Sequence, residues 1–264
     1  MDYILRATAG NGSVRVFVAD TRETVEKAFE YHQTSPVISA ALGRALTGAA
    51  IMGSMLKGDD DMITLQIKGD GPAGVITATA DSKARVKGYA GNPRVDLPLR
   101  EDGKLDVSGA VGKGTLTIMK DMGLKEPYVG QIPLTSGEIA EDLTYYFAKS
   151  EQTPSAVALG VLVDKDYTIK QAGGFIIQLM PEADEDTIFS LEIKLHEMEP
   201  VTTMLEKGMT PEDIMDYLIG DLEPNILDKV PVEYYCNCSR ERVEKALVSL
   251  GKKEIAKIIE EDGK

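Results

Sequence analysis

Ser35-Pro36-Val37-Ile38-Ser39-Ala40-Ala41-Leu42-Gly43-Arg44-Ala45-Leu46-Thr47-Gly48-Ala49-Ala50-Ile51-Met52-Gly53-Ser54-Met55-Leu56 is the stretch on which the fold turns. Ser35 suits an N-cap and Pro36 the first helical position, where a missing N–H is no loss. The pattern predicts a helix from Pro36 to about Leu56 with a single charge, Arg44. At about 1.5 Å per residue such a helix is long enough to cross a bilayer. Gly43, Gly48 and Gly53, with Ser39, Thr47 and Ser54, dilute its hydrophobicity and let a sheet approach closely. It reads as the central buried helix of a soluble core and not as a membrane span.

On the C-terminal side, Gly- and Asp-containing turns separate β-branched, alternating runs near 62–68, 75–80 and 85–90, an antiparallel meander. A less regular segment, 91–112, precedes strands near 114–120 and 128–134. Ser136 is read as the cap of a helix to about Ser150, followed by strands at 156–163 and 168–179. On the N-terminal side, Val14-Arg15-Val16-Phe17-Val18 alternates as a half-buried strand. Asp20 with Glu23 reads as a capping box for a helix over about 21–33. His32 on that helix reads as an ordinary helical residue. Clustered strands with few helices indicate an α+β fold, mainly antiparallel sheet around one long buried helix.

With 264 residues and 43% apolar content the chain can build one large domain with an appendage, or two domains. Its charge is uneven. Residues 1–180 carry 22 acidic and 19 basic side chains, residues 181–264 carry 21 and 10. Within 181–228, 14 acidic residues face only Lys194 and Lys207, so phosphate backbones would be repelled and nucleic acid is not an expected partner. No export signal opens the chain and only two cysteines occur, which points to a reducing cytoplasm. Pro181 marks the compositional break into an acidic helical segment, about 185–198, a turn after Pro200, and 211–219. Thr210-Pro211-Glu212-Asp213 opens the last helix. Ile188, Leu191 and Leu195 form a packing stripe, and His196 reads as structural.

The two cysteines stand together in Tyr234-Tyr235-Cys236-Asn237-Cys238-Ser239, after a strand-like Val230-Pro231-Val232-Glu233-Tyr234-Tyr235. Thiolates are soft metal ligands and nucleophiles, and residues i and i+2 of an extended or turn segment can face one centre. A metal or redox role is therefore expected of Cys236 and Cys238, although a tetrahedral zinc site needs four ligands, or three and water. Ser239 is read as the cap of a helix to about Leu250, with a last helix from Lys252 to Glu261.

Three enzyme-like motifs fail on context. Gly69-Asp70-Gly71-Pro72-Ala73-Gly74 fits G-x-G-x-x-G, but Val75-Ile76-Thr77-Ala78 after it reads as strand where a dinucleotide site needs a helix, so a hairpin turn is expected. Gly112-Lys113-Gly114-Thr115 lacks the glycine spacing and hydroxyl of a P-loop. Ser54-Met55-Leu56-Lys57 has none of the companion motifs of serine acyl-transfer enzymes. No nucleophile–base pair can be assembled.

The chain resembles the Hsp33 family of redox-regulated holdase chaperones. The resemblance is carried by Ala40-Ala41-Leu42-Gly43-Arg44, Met55-Leu56-Lys57-Gly58-Asp59, Gly71-Pro72-Ala73-Gly74 and Ser150-Glu151-Gln152-Thr153-Pro154-Ser155. Ala172-Gly173-Gly174-Phe175-Ile176-Ile177-Gln178-Leu179-Met180-Pro181 and Cys236-Asn237-Cys238-Ser239 complete it. It implies a substrate-binding core at 1–180, a metastable helical linker at 181–230 and a zinc/redox module at 231–264. In that family a C-x-C and a C-x-x-C hold Zn²⁺ in the reduced, inactive state. Oxidation expels the metal and exposes apolar surface to unfolding client proteins, without ATP, and the active form dimerises.

Cys236 and Cys238 match the C-x-C and would be redox switch and zinc ligands. Nothing after them matches the C-x-x-C, so the expectation is a trimmed product in which zinc is absent or completed by foreign ligands. Phe175, Ile176, Ile177, Leu179 and Met180, beside the linker boundary, are the candidate client contacts. The competing reading is an enzyme, a thiol–disulfide oxidoreductase using Cys236 and Cys238, though such catalysts usually carry C-x-x-C beside a βαβ pattern. A zinc module that docks a partner protein is a third.

Overall fold

The computed structural model describes residues 1–262. It contains two compact units, Met1–Tyr234 and a second beginning at Tyr235. The first unit opens with β1 (Tyr3–Ala9), β2 (Val14–Asp20), α1 (Arg22–His32) and α2 (Pro36–Ser54). Then come β3 (Met62–Gly69), β4 (Val75–Asp81), β5 (Arg85–Ala90), α3 (Val107–Val111), β6 (Gly114–Asp121) and β7 (Tyr128–Pro133). They are followed by α4 (Ala140–Ser150), β8 (Ser155–Val163) and β9 (Ile169–Leu179). Three helices follow, α5 (Glu185–Glu197), α6 (Val201–Glu206) and α7 (Pro211–Ile219), before β10 (Asn225–Pro231) and β11 (Glu233–Tyr234).

The strands form two sheets, ordered β10-β1-β2-β9-β8 and β11-β5-β4-β3-β6-β7. All pairings are antiparallel except β11 with β5. The main core lies between the sheets, and α2 runs through it, buried along nearly all its length and packed on strands of both. The helix has the length and composition of a membrane span but its apolar surface is spent on protein. Its small residues admit the sheet: a Cβ on Gly53 would lie 2.6 Å from the Asp81 carbonyl oxygen. Ser35 is the N-cap residue, without a side-chain cap bond, and the helix ends at Ser54.

Inside this apolar contact sit two hydroxyls that satisfy each other. Thr47 Oγ1 donates to the Gly43 carbonyl at 2.9 Å, which leaves its oxygen to accept from Thr21 Oγ1 at 2.7 Å. Thr47→Val keeps the shape but strands the buried Thr21 hydroxyl, at an expected cost of about 1–2 kcal/mol. Urea denaturation of the variant measures it.

Two predicted caps are replaced by others, one distant and one local. Asp20 accepts only from Arg22 N, at 3.2 Å, and no Asp20–Glu23 box forms. The Asp2 carboxylate caps α1 instead, accepting from Glu23 N at 3.1 Å and Thr24 N at 2.6 Å. Burial pushes the Asp2 pKa up, more than these bonds pull it down. Likewise α4 starts at Ala140 and not after Ser136. The buried Asp142 carboxylate gathers Thr135 N, Thr135 Oγ1, Ser136 N and Ile139 N at 2.6–3.1 Å and so builds the helix entry. The Asp2 cap depends on a chain segment that tertiary structure brings to α1, which local sequence does not display, whereas Asp142 acts within its own helix entry.

The irregular segment 91–112 contains α3, capped by Asp106, whose carboxylate accepts from Gly109 N at 2.9 Å. Gly69 to Gly74 is the hairpin connection of β3 and β4, as its context predicts. In β2, Val14, Val16, Val18, Phe17 and Ala19 are all buried, so the strand is covered on both faces and not half-buried. Val230–Tyr235 spans the end of β10 and all of β11, two strands on different sheets. In the second unit α8 (Arg240–Asp262) is broken at Gly251, where φ is 77°, into the two helical stretches expected. Ser239 Oγ caps it, accepting from Arg242 N at 3.2 Å.

Candidate functional site

β9 is apolar on consecutive positions because it separates two cores. Period-two alternation sends Ile176 into the main core around α2, while Phe175 and Ile177 face the other way. On that other face they join Leu5 and Ala7 of β1 and Val14, Val16 and Val18 of β2. A layer of short helices covers the face: Leu191 of α5, Val201, Met204 and Leu205 of α6, and Ile214, Met215, Leu218 and Ile219 of α7.

Of the five candidate contacts, the structure therefore brings Phe175, Ile177 and Leu179 to one covered surface, with Leu179 half-buried at its rim. Met180 is half-buried just past the strand, and Ile176 stands on the opposite face. The β1 and β2 residues of this surface were not among the candidates. Their signal was the apolar run of β2, which reads as one buried face when the second cover is unknown.

Among the described residues, few polar side-chain bonds tie the cover to the sheet. The Tyr3 hydroxyl donates to Glu212 of α7, Lys229 Nζ of β10 lies 3.1 Å from the same carboxylate, and its ammonium sits 3.5 Å from the Tyr3 ring centre. Lys170 of β9 pairs with Glu206 of α6. The helices begin on carboxylates: Asp184 accepts from Thr187 N at 2.7 Å, and Asp213 shares a capping box with Thr210. Their solvent side is strongly acidic and exposes Phe189 and Ile193 of α5. Mutual repulsion of the 14 acids between 181 and 228 opposes docking of this layer, whose hold on the sheet is mainly the apolar burial of those eight side chains of α5–α7.

Hydrogen bonds from Thr187 hold the Asp184 carboxyl below its usual range, and those from Thr210 do the same for Asp213. For Glu212, burial pushes upward, but the Tyr3 hydroxyl and Lys229 outweigh it and the pKa is lowered. A carboxyl with a depressed folded pKa stabilises the fold above its ordinary range and loses that effect as pH falls through the folded value. The cover is therefore expected to loosen below about pH 4. Brief pepsin digestion at stepwise lower pH checks this, with cleavage in 185–219 preceding cleavage in 62–90.

Cys236 and Cys238 are exposed and lie just before the capped start of α8. Arg242 Nη1 donates to the Asn237 carbonyl between them at 3.2 Å. Among the described residues no group of three or more His, Cys, Asp or Glu side chains is placed to hold a metal. Two thiolates are half of a tetrahedral set, so the residues present do not fit a complete zinc site. His32 Nε2 lies 3.0 Å from the Tyr234 hydroxyl, which itself donates to the Gly88 carbonyl at 3.0 Å. His32, the last residue of α1, is thus a structural donor to Tyr234 of β11. His196 is exposed on α5.

The first unit thus carries a buried apolar strand face under an acidic helical layer, and the second unit carries an exposed thiol pair. The family model described as Hsp33 protein matches residues 2–264. The 33 kDa chaperonin of Lachnoclostridium phytofermentans is 57% identical over 99% of this chain and 89% of its own. That of Clostridioides difficile is 57% identical over 100% and 90%. The crystal structure of the 33 kDa chaperonin (heat shock protein 33 homolog) from Thermotoga maritima superposes with a TM-score of 0.91 at 39% identity, covering 98% of this chain and 88% of that one. The chain belongs to the Hsp33 family, redox-regulated holdase chaperones that bind client proteins and are not enzymes. The oxidoreductase reading is thereby set aside.

Proposed function

We propose that this chain is an ATP-independent holdase that binds unfolding proteins under oxidative stress. The reading divides it into a client-binding core at 1–180, a linker at 181–230 and a redox module at 231–264. One observation supports it above the rest: the strand face bearing Phe175 and Ile177 is buried only by α5–α7. Cys236 and Cys238 are the sensor thiols. Peroxide or hypochlorite takes two electrons from a thiolate to give a sulfenic acid, which a second thiol resolves as a disulfide with loss of water.

In the family zinc holds the reduced state. Here Cys236 and Cys238 would supply two of its ligands, and the remaining two are not found among the described residues. Release of the cover offers the Phe175, Ile177 and Leu179 face to clients, and uncovered apolar area also favours a homodimer. A cytoplasmic location follows from reliance on a reducing background. The experiment is light scattering of a chemically unfolded protein diluted into the reduced and the oxidised chain. Stronger suppression of aggregation after oxidation, lost in a Cys236→Ser, Cys238→Ser double variant, supports the proposal. Suppression in neither state contradicts it.

A further inference from the structure

The four sheet edges of the first unit are not alike. β10 is guarded: Leu227 is an unpaired bulge opposite Arg6 and Ala7, Asp228 and Lys229 place charges on the edge, and Pro231 ends it. β11 has two residues, and β7 ends at Pro133. The fourth edge, β8, is Ser155-Ala156-Val157-Ala158-Leu159-Gly160-Val161-Leu162-Val163, with no charge, no proline and no bulged residue of its own. Among the described residues no strand pairs with its outer side. Such an edge is a template for another strand unless it is protected.

The same strand borders the covered face. Ala156 and Ala158 pack against the second core beside Phe175 and Ile177, and Val201 and Thr202 of α6 lie directly on Gly160. Lifting α6 would leave small side chains on β8 beside an open row of main-chain N–H and C=O groups. We propose that the β8 edge is a strand-addition site on which an extended apolar segment of an unfolded polypeptide pairs as a sixth strand of the five-stranded sheet. The inference rests on the holdase reading above and deepens it. An unfolded chain brings the groups that this edge lacks, unpaired amides and apolar side chains. Recognition through main-chain bonds is blind to sequence, and a neutral edge on a chain of net charge −14 does not select clients by charge.

The test is residue-resolved amide exchange of the oxidised full chain with and without reduced, carboxymethylated lactalbumin, a permanently unfolded protein. Alternate amides within 155–163, those not already bonded to β9, are expected to slow by about tenfold, the effect of one bond worth about 1.4 kcal/mol. Amides of 225–231 should not change. Leu162→Lys, at a half-buried position, should weaken lactalbumin binding by a similar factor while amides in 62–90 keep their protection. Unchanged exchange in 155–163 with lactalbumin bound overturns the edge proposal and leaves the holdase reading standing. Protection that rises with chaperone concentration in the absence of lactalbumin also overturns it, since the occupant is then a second copy. Failure to bind lactalbumin at all overturns both.

Discussion

Ile214→Ala is expected to make the reduced chain suppress aggregation without any oxidant. Ile214 is 0% exposed, at the centre of the contact between α7 and the strands beneath it. Truncating a buried isoleucine costs about 2–5 kcal/mol. None of that falls on the main core, because Ile214 touches only the second one. A loss of this size shifts the docking equilibrium of the cover by a factor of about 30 to about 4,000. Light scattering under reducing conditions reads the gain in activity, and limited proteolysis within 185–219 reads the opening. If the variant instead melts as one unit with no suppression below its transition, the cover is not separable from the core.

Gly69→Ala is expected to do the opposite, weakening the main core and leaving the cover's docking alone. A Cβ at Gly69 would stand 1.8 Å from the Val111 carbonyl oxygen and 2.8 Å from its carbon, both backbone atoms of α3. Position 69 pairs with Gly114 in the β3–β6 ladder, so the strand cannot step aside without losing register. Overpacking against backbone costs about 3 kcal/mol or more, which lowers the thermal midpoint by about 10 °C. Calorimetry measures it. A midpoint within two or three degrees of the parent's would show that α3 yields freely. The result also bears on the G-x-G-x-x-G match, since Gly69 is explained by close packing of α3 and not by an approaching phosphate.

Much of this architecture is legible in the chain because its signals are local. Pro36 marks the start of α2, alternation marks β3, β4 and β5, and Thr210 with Asp213 marks the start of α7. What the sequence hid is mostly non-local. Asp2 caps a helix whose first turn lies about twenty residues on, whereas Asp142 is local, within seven residues of the amides it gathers, and competes there with Ser136 as the organiser of the turn. β10 is a second non-local example: Asn225-Ile226-Leu227-Asp228-Lys229 lies in a segment read as a helical linker and becomes a strand only because β1 offers an edge.

The candidate surface was half legible for the same reason. Apolar residues at 175–177 announce a buried strand, but a strand buried on both faces gives no hint of which side chain faces which layer. Phe175 and Ile177 separate from Ile176 only once α5–α7 are in place. The cysteine pair was visible at once, since no other cysteines compete with it.

The central claim is that α5–α7 can leave the sheet while the main core stays folded. Native-state amide exchange of the reduced chain tests it most directly, because it measures opening free energies segment by segment. The account predicts that amides of 185–219 exchange through an opening that costs clearly less than the one exposing amides of 62–90, and that the two respond differently to urea. Equal protection of both segments, with one common urea dependence, would mean that cover and core unfold only together and would contradict it.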